Sequence, residues 1–339
     1  MLSVIIPTRN RAEFLQFALN SLLSQTLPSF SFEVLVIDNG STDNTRSVVT
    51  SFQRHLDNFR YFFDPSPGLH IGRHLGMKMA KSDILVYADD DIEAFPTWLE
   101  AILETFQNSD VALVGGKNLP KFESIPPEWI LKMWRKNNKG NRILGYLSIL
   151  DLGNERKEIN PFHVFGCNFS IKKSILLEAG GFHPDAMPEK LIRYRGDGES
   201  HVSRYILKHD YKTIYHPKAS VYHSVPSSRL SMEYFCRRAY YEGISQSYTQ
   251  LRSEYFGSTV NKHKFHNLAH YYSWLKKIPI AQLFKSIGLK SYADIHRIID
   301  KSYQNGRQFH QEEIAKDPAL LAWVLLENYL NENGKLPQR

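Results

Sequence analysis

The chain has two cysteines in 339 residues, Cys167 and Cys236. Two are too few for a disulfide framework, and their separation is not a metal-ligand spacing. A reduced compartment is the simpler expectation. No apolar run approaches the roughly 18 residues that a membrane-spanning helix needs. The longest, "ALLAWVLL" at 319–326, reads as the apolar part of a packed helix. The opening "MLSVIIPTRN" reads as a strand and a turn, without a basic region ahead of an apolar core, so no signal peptide is expected. No Gly-x-Gly-x-x-Gly follows that strand, which argues against a dinucleotide oxidoreductase. Internal repeats, low-complexity tracts and recognisable nucleic-acid modules are also missing, so no nucleic-acid partner is expected.

What is present fits a folded α/β protein. Hydrophobic residues make up 42% of the chain and aromatics 13%, enough for a large core and little disorder. The formal charge of +7 and pI near 9.1 favour anionic partners. In the first third, strand and helix signals alternate. Continuous apolar runs at 2–7, 32–38, 59–63, 83–88 and 111–116 read as strands covered on both faces. Helical spacing marks 12–25, 42–56, 70–80 and 96–106. Such alternation predicts a mostly parallel sheet with right-handed crossovers, whose ligands sit beyond the carboxyl ends of the strands. Four polar clusters fall there: Pro7–Arg11, Asp38–Asp43, Asp64–Gly68 and Asp89–Asp91. From 117 the pattern loosens. Residues 120–141 read as irregular, 162–182 as strand, helix and Gly-Gly end, 193–210 as a loop entering a helix, and 212–226 as strand-like. Residues 231–339 read as mostly helical, with a loose final tail.

The triplet Asp89-Asp90-Asp91 ends a run that should be buried. Like charges so placed raise one another's pKa unless a cation neutralises them. Carboxylates without neighbouring cysteines suit a hard cation, Mg²⁺ or Mn²⁺, which commonly bridges protein carboxylates to phosphates. A basic chain with one acidic niche therefore points to a metal-dependent diphosphate site. Asp38 and Asn39 end another strand. Capping of the next helix accounts for Ser41, Thr42 and Asp43 but not for Asp38, whose carboxylate can read the edge of a base.

The series "SVIIPTRNR", "VIDNGSTD", "PGLHIGRHLGMKMAKSDILVYADDD" and "GGF…GDGE…SRYI" resembles the family 2 glycosyltransferases over roughly residues 2–240. The resemblance implies the GT-A fold, a Rossmann-like, mostly parallel central sheet flanked by helices, with a helical C-terminal extension. It implies inverting transfer of a sugar from a nucleotide-diphosphate donor (UDP, GDP or dTDP) to a hydroxyl of a glycan or lipid-linked acceptor. By position in the motifs, donor binding falls on Pro7, Thr8, Arg9, Asp38, Asn39, Gly68, Arg73, Asp89 and Asp90. Metal binding falls on Asp91, with Asp89 and His223. Arg9 stands where the family often has tyrosine, and Asp38-Asn39 where it often has Asp-Asp. The general base, needed because a sugar hydroxyl is a poor nucleophile, falls on Asp197 first and Glu199 second. A helix N-terminal box fits Glu199 better. Arg229, Arg237 and Arg238 stand where the family places cations near a diphosphate or an anionic acceptor. Cys167 reads as a core residue, and Gly166 as a place where an acceptor can approach the backbone.

The expected organisation is a nucleotide-sugar half at 1–116, an acceptor and base half at 117–230, and a helical region at 231–339. That last region could serve as acceptor platform, oligomer contact or membrane-surface dock, and the oligomeric state stays open. The expected location is cytoplasmic, or peripheral at the inner face of a membrane. Two rival readings remain. "PTRNR" is not the Gly-rich loop that opens a nucleotidyltransferase, and a non-catalytic binding module would not need both the Asp triplet and the "GDGE" loop.

Overall fold

The computed structural model describes residues 1–257 and 292–336. An eight-stranded mixed sheet forms the centre, in the order β10-β12-β6-β11-β4-β1-β2-β3. Its strands are β1 (Leu2–Thr8), β2 (Phe32–Asp38), β3 (Phe59–Phe63), β4 (Ile84–Ala88), β6 (Val111–Gly115), β10 (Lys157–Glu158), β11 (Asn168–Lys172) and β12 (Lys212–Tyr215). β4, β1, β2 and β3 run parallel, as does β12 to β6, while β11 is antiparallel to both β4 and β6.

The continuous apolar runs are explained by what covers each face. Val4, Ile6, Val34, Val36 and Val86 point to one side. There they meet Leu15, Leu19 and Leu22 of α1 (Ala12–Leu23), Val49 and Phe52 of α2 (Thr45–Phe52), and Trp98, Leu99 and Ile102 of α4 (Trp98–Thr105). The alternate residues Ile5, Leu35, Ile37, Leu85 and Tyr87 point to the other. Met77 of α3 (Leu69–Met79), Leu176 of α6 (Lys173–Glu178), and Val202 and Ile206 of α7 (Glu199–Lys208) cover that face. Period-2 alternation thus sends the side chains of the inner strands into one of two cores, while edge strand β3 leaves Phe63 exposed.

The segment read as irregular builds a second sheet. Its order is β5-β13-β7-β9-β8, from β5 (Ile92–Ala94), β7 (Asn118–Phe122), β8 (Arg142–Leu144), β9 (Ile149–Asp151) and β13 (Val221–Val225). The strand-like stretch 212–226 divides between the two sheets. The short helix α5 (Glu128–Met133) also lies in this region.

Beyond it, α8 (Met232–Tyr255) packs against the helix Tyr292–Lys316. They cross closely because Gly243 faces the Tyr303 carbonyl and Gly306 faces the Tyr240 carbonyl. A Cβ at either position would lie within 2.0 Å of that oxygen. The tail is tied down rather than loose as far as it is described: the Gly334 carbonyl lies 3.0 Å from His70 Nε2 of α3. Residues 337–339 lie outside the described residues. No helix among the described residues is long and apolar enough to cross a membrane.

Candidate active site

β1 is flanked by β4 on one side and β2 on the other, so the crossover direction reverses between β1 and β4. A crevice opens beyond the carboxyl ends at such a point. Thr8 ends β1 and Asp89–Asp91 follow β4, and Thr8 Oγ1 donates to Asp90 Oδ2 at 2.7 Å across the gap. A cavity of about 610 Å³ opens there.

Each of the three aspartates faces an arginine, Asp90 and Asp91 at the shorter distances. Arg11 reaches Asp90 Oδ1 at 2.9 Å and donates to Asp91 Oδ2 at 2.7 Å. Arg229, in the turn after β13, donates to the same Asp91 oxygen at 2.9 Å. Burial works against ionisation of Asp91, but His223, Arg11 and Arg229 outweigh it and hold its carboxyl well below the usual range. Burial pushes Asp89 and Asp90 up, helped by the Asp91 charge and opposed by Arg73 and Arg11 respectively.

The donor set fits a hard divalent cation. Asp91 Oδ1 is buried without a geometrically satisfied hydrogen bond, and His223 Nε2 lies 3.3 Å from it. Asp89, Cys167 and His223 each offer an atom within 4.8 Å of the others. Burial keeps the Cys167 thiol protonated far above its ordinary range, so it is a poor ligand for a hard ion. Asp89 and His223 remain of that group, with Asp91 Oδ1 beside His223, and carboxylate oxygens with an imidazole can hold a divalent cation.

Arg73 connects this end to the "GDGE" loop. Its side chain is 3% exposed, with Nη2 3.6 Å from Asp89 Oδ1 and Nη1 3.3 Å from Glu199 Oε2. Burial disfavours the guanidinium charge, but Glu199, Asp89 and Asp185 outweigh it and raise its pKa. The backbone N–H of Gly166 donates to Glu199 Oε1 at 3.1 Å. A Cβ at 166 would come within 2.4 Å of Arg73 Nη2. Glycine here makes room for that pairing, and it also lines the cavity in which an acceptor was expected to approach the backbone.

The two carboxylates of the loop differ sharply. Glu199, in the first turn of α7, lines the large cavity and its side chain is 26% exposed. Asp197 is 4% exposed and does not line it; it borders a neighbouring cavity of about 60 Å³ that Glu199 also lines. Its oxygens accept from Thr249 at 2.7 Å and from Arg204, and lie 2.7 Å from His183 Nδ1.

Of the other expected residues, Pro7, Thr8, Arg9, Asn39, Gly68 and His223 line the cavity. Asp38 does not: it accepts from Ser41 N–H at 2.7 Å and from the Tyr61 hydroxyl at 2.8 Å. Cys167 is buried as expected, yet lies at the cavity wall. Arg11, Asp185, Arg195, Tyr234 and Tyr241 also line the cavity and were not singled out from the sequence. Only Arg11 carried a local signal, within "PTRNR". Tyr234, Arg237, Arg238 and Tyr241 make α8 one wall of the site.

The chain is similar to known proteins to different degrees. Over 115 residues the chain is 39% identical to glycosyltransferase AglE of Haloferax volcanii, covering 34% of this chain and 38% of that protein. The chain therefore spans under half of that relative's length. Over 257 residues it is 23% identical to a glucosyl-dolichyl phosphate glucuronosyltransferase of the same organism, covering 72% of this chain and 75% of that one. A solved mannosyltransferase from Pyrobaculum calidifontis, PcManGT in complex with GDP-Man and Mn²⁺, superposes with a TM-score of 0.56. That match has 16% identity and covers 95% of this chain and 82% of the other, a likeness of fold. The family model described as glycosyl transferase family 2 matches residues 3–179. With the GT-A-type sheet and the crevice beyond β1 and β4, this match over more than half of the sequence settles the assignment: the chain belongs to glycosyl transferase family 2.

Proposed function

We propose that this chain transfers a sugar from a nucleotide-diphosphate sugar to an acceptor hydroxyl, with inversion, using Glu199 as general base and a divalent metal at Asp89, Asp91 and His223. One observation carries this reading. Glu199, half-open to the cavity, and Asp89, at the metal-type cluster, are held on either side of the buried Arg73 guanidinium.

Pro7, Arg9, Asn39 and Gly68 form the end of the cavity that takes the nucleotide, with the planar Arg9 guanidinium available to stack on a base. Bound at its three ligands, the ion would supply positive charge to the leaving diphosphate. The GDP-mannose and Mn²⁺ named for PcManGT are of the class such a site would take. Arg229 and Arg11 neutralise Asp91 and keep fixed positive charge beside the diphosphate end. Glu199 takes the acceptor hydroxyl's proton as that oxygen attacks the anomeric carbon from the side opposite the leaving phosphate. A single displacement of this kind inverts the centre. The first choice among the loop carboxylates thereby moves from Asp197 to Glu199. The nucleotide half at 1–116, the acceptor half at 117–230 and α8 as acceptor wall follow from the same reading.

The test is a thermal-shift screen of UDP, GDP and dTDP with and without Mn²⁺, then hydrolysis of the matching sugar nucleotides. One nucleotide should raise the melting temperature more with Mn²⁺ than without it, and its sugar derivative should be cleaved. No stabilisation by any of the three, or full cleavage in chelator, would overturn the proposal.

A further inference from the structure

We propose that the projection formed by residues 121–142 docks this protein on an anionic lipid surface, with Ile125 and Leu131 entering the headgroup layer and Arg135, Lys136 and Lys139 facing lipid phosphates. Among the exposed large apolar side chains of the described residues, Ile125 is the most open, at 92%. It precedes α5 across Pro126 and Pro127. In and beyond α5, Ile130, Met133 and Trp134 turn inward to a core shared with Phe235 and Ala239 of α8. Glu128, Leu131 and Arg135 are left outward at helical spacing, with Leu131 41% exposed.

The charge on this projection is predominantly positive. Residues 121–142 contain Lys121, Lys132, Arg135, Lys136, Lys139 and Arg142 against only Glu123 and Glu128. Both carboxylates are engaged: Glu123 accepts the Ser227 N–H at 2.6 Å, and Glu128 pairs with Lys132 at 2.7 Å. Arg135, Lys136 and Lys139 are exposed; Arg135 also feels the charge of Glu128, which is itself paired with Lys132. An anionic polymer would use the cations and leave Ile125 and Leu131 in water. A neutral apolar partner would use the side chains and leave the cations unpaired. A layer of anionic headgroups over acyl chains satisfies both at once.

The projection is joined to the rim of the cavity. Ser227 Oγ donates to Ser124 Oγ at 2.9 Å, and the neighbouring Ser228 and Arg229 line the cavity. On the other side β8 leads directly to Leu147 and Ser148, which also line it. Docking would set that rim at headgroup level, where a lipid-linked acceptor would enter. This last consequence rests on the proposed transferase activity; the docking does not.

The test is co-sedimentation of the full chain with phosphatidylcholine vesicles, with and without phosphatidylglycerol. Binding should require phosphatidylglycerol and weaken with salt. Two variants, Arg135→Gln/Lys136→Gln/Lys139→Gln and Ile125→Ser/Leu131→Ser, should each lose about tenfold or more in vesicle affinity. Both should keep the parent's thermal shift with nucleotide diphosphates, because none of these residues lines the cavity. Binding to heparin without binding to anionic vesicles would assign the patch to a polyanion and overturn the proposal. So would absent vesicle binding, equal binding to neutral vesicles, or unchanged affinity in both variants. Failure of the nucleotide shift in the parent chain would instead count against the transferase reading.

Discussion

The Arg73 guanidinium and the Glu199 carboxylate meet 3.3 Å apart behind Gly166, bringing a residue of α3 to one from the start of α7, 126 positions later in the chain. Arg73 also faces Asp89. One buried cation therefore fixes the spacing between the proposed base and the proposed metal cluster.

Arg73→Gln removes that cation and leaves two carboxylates facing each other. Both are partly exposed, 26% for Glu199 and 34% for Asp89, so the cost is moderated by solvent and should be about 1–3 kcal/mol. The melting temperature should fall by several degrees. Mn²⁺-dependent stabilisation by the nucleotide diphosphate should weaken as well. A variant that melts like the parent and binds nucleotide as well would show that Arg73 organises neither group.

Asp197→Asn should behave as a structural lesion. It leaves Arg204 without its counter-charge and turns one oxygen of the cluster with His183, Arg204 and Thr249 into an N–H₂ donor. Breaking a buried pair costs about 3–5 kcal/mol. Turnover at a temperature where the variant stays folded should remain within about threefold of the parent, since the carboxylate does not border the large cavity. Parent-like melting with lost turnover would return the base to Asp197.

Which of these two carboxylates faces the cavity was not legible in the sequence. Asp197 finds partners 7, 14 and 52 positions away; Arg204 lies within the same loop-to-helix motif, but no local pattern announces His183 or Thr249. Asp38 is similar: its role as partner of Ser41 and Tyr61 depends on β3 lying beside β2. The main sheet was legible because long apolar runs covered on both faces leave a continuous signal. The second sheet was not. β5, β8 and β9 have three residues each, and β7 contains Pro120, so neither alternation nor propensity marks them. The Asp triplet at the end of β4 was legible from one fact, that charge adjoins a run that must be buried.

Stability should fall as the solution is acidified from about pH 7 to about pH 5, through the buried histidines. Burial lowers His70 to about 4, His74 to about 3, and His201 and His310 to about 4, and takes His183 well below its ordinary value. His74 Nε2 accepts the Phe182 N–H at 2.8 Å, which requires the neutral ring. The unfolded chain binds protons at these groups near pH 6.5, where the folded chain does not. Their full stability is thus present above about 6.5 and declines as pH drops toward the folded values. The raised carboxyls of Asp89 and Asp90 act in the opposite sense but are fewer. Urea unfolding midpoints across this window measure the effect; a midpoint that holds steady or rises on acidification would contradict it.

The central claim is that Glu199 removes the proton. The most direct measurement is hydrolysis of the sugar nucleotide that stabilises the parent chain, compared between parent and Glu199→Gln. The amide keeps the side chain's size and its contact with the Gly166 N–H, but cannot accept a proton. In Glu199→Gln, kcat should fall about 10²–10⁴-fold with Mn²⁺-dependent nucleotide binding nearly unchanged. Parent-like hydrolysis by Glu199→Gln would contradict the claim.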